Sequence, residues 1–165
     1  MRKETAPLPN SIGYDLTLRQ IKKVSNNQIS LNDKLENICK LLYDAVSYYD
    51  WVGFYLVDKS KRDELILGPF VGTPTEHVRI AFGEGVCGQV AEQKKTMTVQ
   101  DVSQEKNYLS CNIDVRSEIV VPIFKNIEIV GEIDIDSHSV SPFTNDDKIF
   151  IEKVAKIVSN FITQV

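Results

Sequence analysis

The chain is predicted to fold as an α+β domain, with helices flanking a central antiparallel sheet. Amphipathic helical periods stand at its two ends, and strand-like runs joined by polar turns fill the middle. The order helix, helix, strands, loop, hairpin, helix leaves those strands to pair with one another. With 165 residues and no Pro-, Gly- or Ser-rich stretch dividing them, one domain around one core is the simplest arrangement.

Residues 1–13 read as an arm and 14–165 as the domain. Over 14–26, Leu16, Leu18, Ile21 and Val24 recur at near-helical spacing. Ser30 to Asp33 can cap a second helix, whose apolar positions Leu35, Ile38, Cys39, Leu42 and Val46 follow the i, i+3, i+4, i+7 pattern. Residues 51–57 and 64–70 read as strands, and the polar run between them has the chemistry of a hairpin turn. A short strand is expected over 78–82, a helix opening at Gly83-Glu84-Gly85 and running to Glu92, and another short strand over 96–99. Residues 101–116 are polar and without a period, which predicts a loop of the kind that carries active-site groups, with at most a helical turn. Strands over 118–124 and 127–135, turning at Lys125-Asn126, are expected at the centre of the sheet. Thr144 is a good N-cap for the last helix, with Asp146 and Asp147 in its first turn and Ile149, Phe150, Val154, Ile157, Val158 and Phe161 as its apolar stripe.

Composition narrows the function. A hydrophobic share of 42% with 25% charged residues is that of an ordinary soluble domain. A net charge of -4 without a basic patch argues against nucleic acid, and no apolar run reaches the ~18 residues of a membrane span. The N-terminus lacks the apolar core of a signal peptide. Cys39, Cys87 and Cys111 are odd in number and unlike a disulfide framework or a C-x-x-C zinc site, so a reducing cytoplasm is expected. His77 and His138 have no ligand spacing with each other or with the cysteines, and neither metal nor cofactor is expected. A small molecule or a protein is the expected partner.

The residues that carry chemistry lie in the second half. Thiolates attack soft electrophiles such as oxidised sulfur, and a carboxylic acid can protonate an oxygen as it leaves. Cys87 sits at an expected helix start, where backbone N–H groups would favour a thiolate; a small buried core residue is an equal reading. Cys111 lies in the long loop, seven residues before Glu118, and an exposed thiol with no role is an oxidation hazard. Cys39 lies on an apolar stripe and reads as core. Glu132, Asp134 and Asp136 alternate onto one face of their strand, where a solvated sheet surface is the plainest account. Closely spaced carboxylates cannot all ionise, so at least one should have a raised pKa and act as an acid near neutral pH. Trp51 and Tyr55 share a face and read almost equally well as core aromatics.

Five segments, taken in order, form a specific combination: Trp51-Val52-Gly53-Phe54-Tyr55, Leu67-Gly68-Pro69-Phe70, Gly83-x-Gly85-Val86-Cys87-Gly88, Ser117-Glu118-Ile119-Val120-Val121-Pro122 and Gly131-x-Ile133-Asp134-Ile135-Asp136-Ser137. Over about residues 14–158 the chain resembles the free methionine-R-sulfoxide reductases, which are stand-alone GAF domains. The resemblance implies reduction of free L-methionine-(R)-sulfoxide. It assigns Cys111 as the attacking thiol, Cys87 as its redox partner, and Glu118 and Asp136 as catalytic acids. Asp134 would hold the substrate together with these acids, Trp51 and Tyr55 would wall its methyl group, and backbone N–H groups from Ser117 to Ile119 would face its oxygen. Thioredoxin or a similar dithiol would reopen a Cys87–Cys111 disulfide, and a homodimer is compatible with the family.

The competing class is a GAF sensor that binds a small ligand without chemistry. Such a module signals to another domain, for which this length leaves no room, and a binding pocket has no need of two thiols. Two positions depart from the family pattern. His77 falls at or beside the place where many relatives carry a third, resolving cysteine, which leaves Cys87 as the candidate for that task. Glu132 stands where an apolar residue is more usual.

Overall fold

In the computed structural model, which describes residues 10–109 and 112–162, helix α1 (Asn10–Asn26) begins ahead of Tyr14 and takes in part of the stretch read as an arm. Residues 1–9 lie outside the described residues. Helix α2 (Leu31–Ala45) opens where the sequence places its cap: the Ser30 hydroxyl accepts the Asp33 N–H at 3.1 Å, and Leu35, Ile38, Cys39 and Leu42 are buried.

The sheet contains β1 (Trp51–Val57), β2 (Glu64–Val71), β3 (Arg79–Ala81), β4 (Met97–Val99), β5 (Ser117–Lys125) and β6 (Glu128–Ser137), in the order β3-β2-β1-β6-β5-β4. Every pairing is antiparallel. The β5–β6 hairpin turns through Asn126 at φ 56°, a left-handed conformation that Asn tolerates. The sequence reading puts that hairpin at the centre of the sheet, but β2 and β3 lie beyond β1 and shift the centre by one strand. β1 and β6 are the central pair, with β2 and β3 beyond β1 and with β5 and short β4 beyond β6.

Helix α3 (Gly85–Gln93) and a 3-10 turn (Val102–Gln104) lie on one side of the sheet, and α1, α2 and α4 (Asn145–Ser159) on the other. The sheet is therefore covered on both faces, and two apolar cores replace the single one expected. Val52, Phe54, Leu56, Ile119, Val121, Ile133 and Ile135 face the three-helix layer. Trp51, Tyr55, Val57 and Val120 face α3, together with Val86, Cys87 and Val90. Alternation along a strand produces this division, since neighbouring side chains point to opposite faces.

Helix α4 starts with a reciprocal cap: Thr144 Oγ1 accepts the Asp147 N–H at 3.3 Å while Asp147 accepts the Thr144 N–H at 2.7 Å. Its buried stripe runs through Phe150, Ile151, Val154, Ala155 and Val158. Ile149, assigned to that stripe from the sequence, stands at its margin at 42% exposure. The other oxygen of Asp147 collects the hydroxyls of Tyr14, Tyr48 and Tyr49 at 2.8, 2.8 and 2.7 Å. One buried carboxylate thus ties α1, the approach to β1 and the start of α4. No described helix is long and apolar enough to cross a membrane.

Candidate active site

Strand register assembles the site. Between β1 and β6, Trp51 lies opposite Asp136, Gly53 opposite Asp134 and Tyr55 opposite Glu132. Between β5 and β6, Glu118 lies opposite Asp136, Val120 opposite Asp134 and Pro122 opposite Glu132. Three strands thereby bring Trp51, Tyr55, Glu118, Glu132, Asp134 and Asp136 to the face that α3 covers. Gly53 is needed there: a Cβ on it would stand 2.3 Å from Trp51 Cη2, so the indole lies across the strand where no side chain intervenes. Trp51 also stacks on Phe70 with ring centroids 5.4 Å apart, and its Nε1 donates to the Thr73 carbonyl at 3.0 Å. Tyr55 donates its hydroxyl to the His77 carbonyl at 2.8 Å. Both aromatics are thus fixed along the wall.

The acids are not on a solvated surface. Glu118 is 3% exposed, Asp136 1%, and Glu132 and Asp134 0%. Both oxygens of Glu132, Asp134 and Asp136 lack a partner in regular hydrogen-bond geometry, although Glu118 and Cys87 stand close enough to bias the Asp134 proton. Cys87 Sγ lies 3.8 Å from Glu118 Oε1. Burying carboxylates without a cation favours their neutral forms. Burial, with the Asp134 and Asp136 charges, holds Glu118 well above the usual carboxylate range. Burial and the Asp134 charge do the same to Asp136, and burial raises Glu132. Asp134 is raised by burial to about 6, its rise limited by hydrogen bonding from Glu118 and Cys87. It is the member that ionises first.

Cys87 corrects one expectation. It occupies the first turn of α3, yet burial and the Asp134, Glu132 and Glu118 charges push its thiol well above the ordinary cysteine value. Desolvation and nearby negative charge outweigh any help from the helix start. Ile119, named from the sequence for its backbone N–H, has its side chain buried in the opposite core, facing the three-helix layer. The backbone of Glu118 and Ile119 is paired with β4 on one side and β6 on the other. Cys111 lies outside the described residues. Glu132 joins the acid group, a membership legible in its spacing to Asp134 although no role could be assigned to it. Cys39 is buried in the helical core as expected.

Among the described residues, no positively charged side chain is paired with this group. Cys87, Glu118 and Asp134 each place one ligand atom within 4.8 Å of the other two, so a small metal ion would find three donors there. An amino-acid ammonium would meet the same carboxylates. A small pocket of about 10 Å³ adjoins the group, lined by Asp50, Trp51, Thr73, Asn112, Val115, Asp136 and His138. A larger groove of about 710 Å³ runs along β5 beside α4 and contains neither a thiol nor the raised acids.

A curled antiparallel sheet with helices on both faces and a ligand-sized group of polar residues beneath α3 is the arrangement of a GAF domain, and the GAF domain family model matches residues 30–162. The chain is 37% identical to GAF domain-containing protein A of Dictyostelium discoideum, over 89% of this chain and 90% of that one. It is 38% identical to the free methionine-R-sulfoxide reductase of Saccharomyces cerevisiae, over 82% of this chain and 78% of that one. The X-ray structure of free methionine-R-sulfoxide reductase from Neisseria meningitidis in complex with its substrate superposes with a TM-score of 0.87 at 35% identity, covering 97% of this chain and 95% of that one. The chain belongs to the free methionine-R-sulfoxide reductase family of GAF domains.

Proposed function

We propose that this protein reduces free methionine-(R)-sulfoxide to methionine by thiol chemistry at the α3 face of the sheet. The observation that carries the reading is the buried set of Glu118, Glu132, Asp134 and Asp136 around the Cys87 thiol, with raised pKa values and no basic side chain paired with it among the described residues. A free amino acid supplies the missing charge as its ammonium, and ionised Asp134 is the group that receives it. Glu118 and Asp136, held well above the usual carboxylate range by burial and neighbouring charge, are the acids suited to donate to an oxygen. Trp51 and Tyr55 offer apolar surface for the methyl end. The small pocket has no volume for a whole amino acid, so its lining must part to admit one.

In the first step the Cys111 thiolate attacks the sulfoxide sulfur, an acid of the set protonates the oxygen, and methionine departs while the oxygen ends on Cys111 as a sulfenic acid. In the second, Cys87 condenses with that sulfenic acid: an S–S bond forms, the S–O bond breaks and water leaves. Asp134, with an oxygen within 4.8 Å of the Cys87 sulfur, is the acid to which the Cys87 proton would pass as the two draw together. A thioredoxin-type dithiol then returns the disulfide to two thiols.

Cys111→Ser tests the assignment. It should abolish methionine release, including a single stoichiometric round, because a hydroxyl is a far weaker nucleophile toward sulfur. Release of methionine by that variant would remove Cys111 from the first step.

A further inference from the structure

Three elements distant in sequence bring metal-ligand side chains to one point beneath α3. Cys87 comes from the first turn of α3, Glu118 from β5 and Asp134 from β6. Glu118 and Asp134 are diagonal neighbours across the β5–β6 pair, since Glu118 lies opposite Asp136 and Val120 opposite Asp134. Helix α3 is seated firmly above them. A Cβ on Gly88 would stand 2.4 Å from the Ala81 carbonyl oxygen, and Gly83 donates its N–H to the Gly88 carbonyl at 2.7 Å. The three ligand atoms lie within 4.8 Å of one another, with Cys87 Sγ 3.8 Å from Glu118 Oε1. A tetrahedral zinc ion, with bonds of about 2.3 Å to sulfur and about 2.0 Å to oxygen, holds two such atoms about 3.5 Å apart. The pair therefore stands close to ligand spacing already. A second observation points to a cationic ligand. Glu132 and Asp134 are fully buried, and among the described residues none of their four oxygens has a partner in regular hydrogen-bond geometry. Glu132 also stands near enough to the Cys87 thiol to act on its proton. Buried oxygens without donors are stabilised by whatever positive charge reaches them.

We propose that Cys87, Glu118 and Asp134 form a binding site for one thiophilic divalent cation, Zn²⁺ or its spectroscopic substitute Cd²⁺. The sulfur selects the ion. Mg²⁺ and Ca²⁺ take shells of about six or more oxygens, which a buried point with three donors and one sulfur does not supply. Zn²⁺ accepts thiolate and carboxylate together in a shell of about four, and the Cys87 thiol gives up its proton as the ion binds. Residue spacing in the sequence gives no sign of the site, because its donors come from α3, β5 and β6 rather than from one motif. Entry is by the small pocket beside Asp136, whose lining parts for the substrate as well. The ion takes the carboxylates assigned above to the substrate's ammonium and oxygen, and so excludes the substrate. That exclusion rests on the proposed function; the binding of the ion does not.

The test titrates Cd²⁺ into the reduced full chain, freed of reductant, and follows the thiolate-to-cadmium absorption in the ultraviolet. The band should saturate at one ion per chain, vanish in Cys87→Ala and persist in Cys111→Ser. Glu118→Gln and Asp134→Asn should each weaken Cd²⁺ at least tenfold, the least that loss of even a supporting group costs a metal site. Asp134→Asn removes a buried charge, so the fold tolerates it and the loss reads on the ion. Zn²⁺ should raise the melting temperature of the wild type and leave that of Asp134→Asn unchanged, and Mg²⁺ at the same concentration should move neither. A band that survives Cys87→Ala, a band lost in Cys111→Ser, or an unchanged Cd²⁺ affinity in both carboxylate variants would overturn the inference. Zn²⁺ should also stop a single round of methionine release in the absence of dithiol, and EDTA should restore it; release at the full rate with the site saturated would overturn the exclusion of substrate. A protein that binds Cd²⁺ as stated and never reduces methionine sulfoxide would sink the functional reading and leave the cation site standing. One that reduces the sulfoxide but does not bind Cd²⁺ would do the reverse.

Discussion

Asp134→Asn should make this protein more stable at neutral pH while disabling it. Burial raises the Asp134 carboxyl from 3.8 to about 6, so the folded state resists its ionisation and the unfolded state does not. The sign follows from that direction. A group raised on folding contributes its full stability below its unfolded pKa, and loses it as pH rises through the folded value. At about 1.36 kcal/mol per pKa unit, ionising Asp134 costs the fold roughly 1 kcal/mol at pH 4.5 and roughly 3 kcal/mol at pH 7.5. Asparagine removes this loss, keeps the shape, and lifts a charge that also raises Glu118 and Asp136. Urea unfolding at the two pH values reads the effect. The gap between variant and wild type should widen in the variant's favour by about 2 kcal/mol from pH 4.5 to pH 7.5. In thermal scans, that corresponds to roughly 4–8 °C for a chain of this size. A gap that stays constant or narrows with pH would refute the view that Asp134 is buried without compensation.

Asp147→Asn should act in the opposite direction. Burial pushes Asp147 upward, but hydrogen bonds from Tyr49, Thr144 and Tyr14 outweigh it and leave its pKa below the usual carboxylate value. Its contribution is therefore present above the unfolded pKa and lost as pH falls through the folded one; the substitution should cost about 2–4 kcal/mol near pH 7 and less in acid, by urea unfolding. Cys87→Ser should still release about one equivalent of methionine, by the two-step logic of thiol oxidation, and then stop with a sulfenic acid that a dimedone-type reagent labels. Continued turnover with thioredoxin would mean that an external thiol resolves Cys111 directly. N-acetylated methionine sulfoxide should react at least tenfold more slowly than the free amino acid, since blocking the ammonium removes the cation that the buried acids lack. Equal kcat/KM for the two would argue against that role.

Most of the scaffold was legible because its signals are local. The Ser30 and Thr144 caps, the β1 run and the hairpin at Asn126 are set by residues within a few positions of one another. The centre of the sheet was not, because the pairing of β1 with β6 joins segments distant in sequence that no turn specifies. The acid strand illustrates the same limit. Alternation placed Glu132, Asp134 and Asp136 on one face, yet only the covering helix α3 decides that this face is buried, and strand periodicity carries no information about it. Cys87 was misjudged in charge state for a related reason. Its place at a helix start is written in the sequence, whereas the carboxylates that oppose a thiolate arrive from β5 and β6. Ile119 was named for its backbone N–H; its side chain, by strand alternation, faces the opposite way from Glu118.

The central claim is that the buried acids and Cys87 on the α3 face, acting with Cys111, reduce one stereoisomer of one free amino acid. Its most direct test supplies the reduced wild-type protein with racemic free methionine sulfoxide and dithiothreitol, and follows the two diastereomers separately by chromatography. The account predicts that only the R diastereomer disappears, with one methionine formed for each sulfoxide lost. Equal loss of the S diastereomer, or no loss of either by folded protein with its thiols reduced, would contradict it.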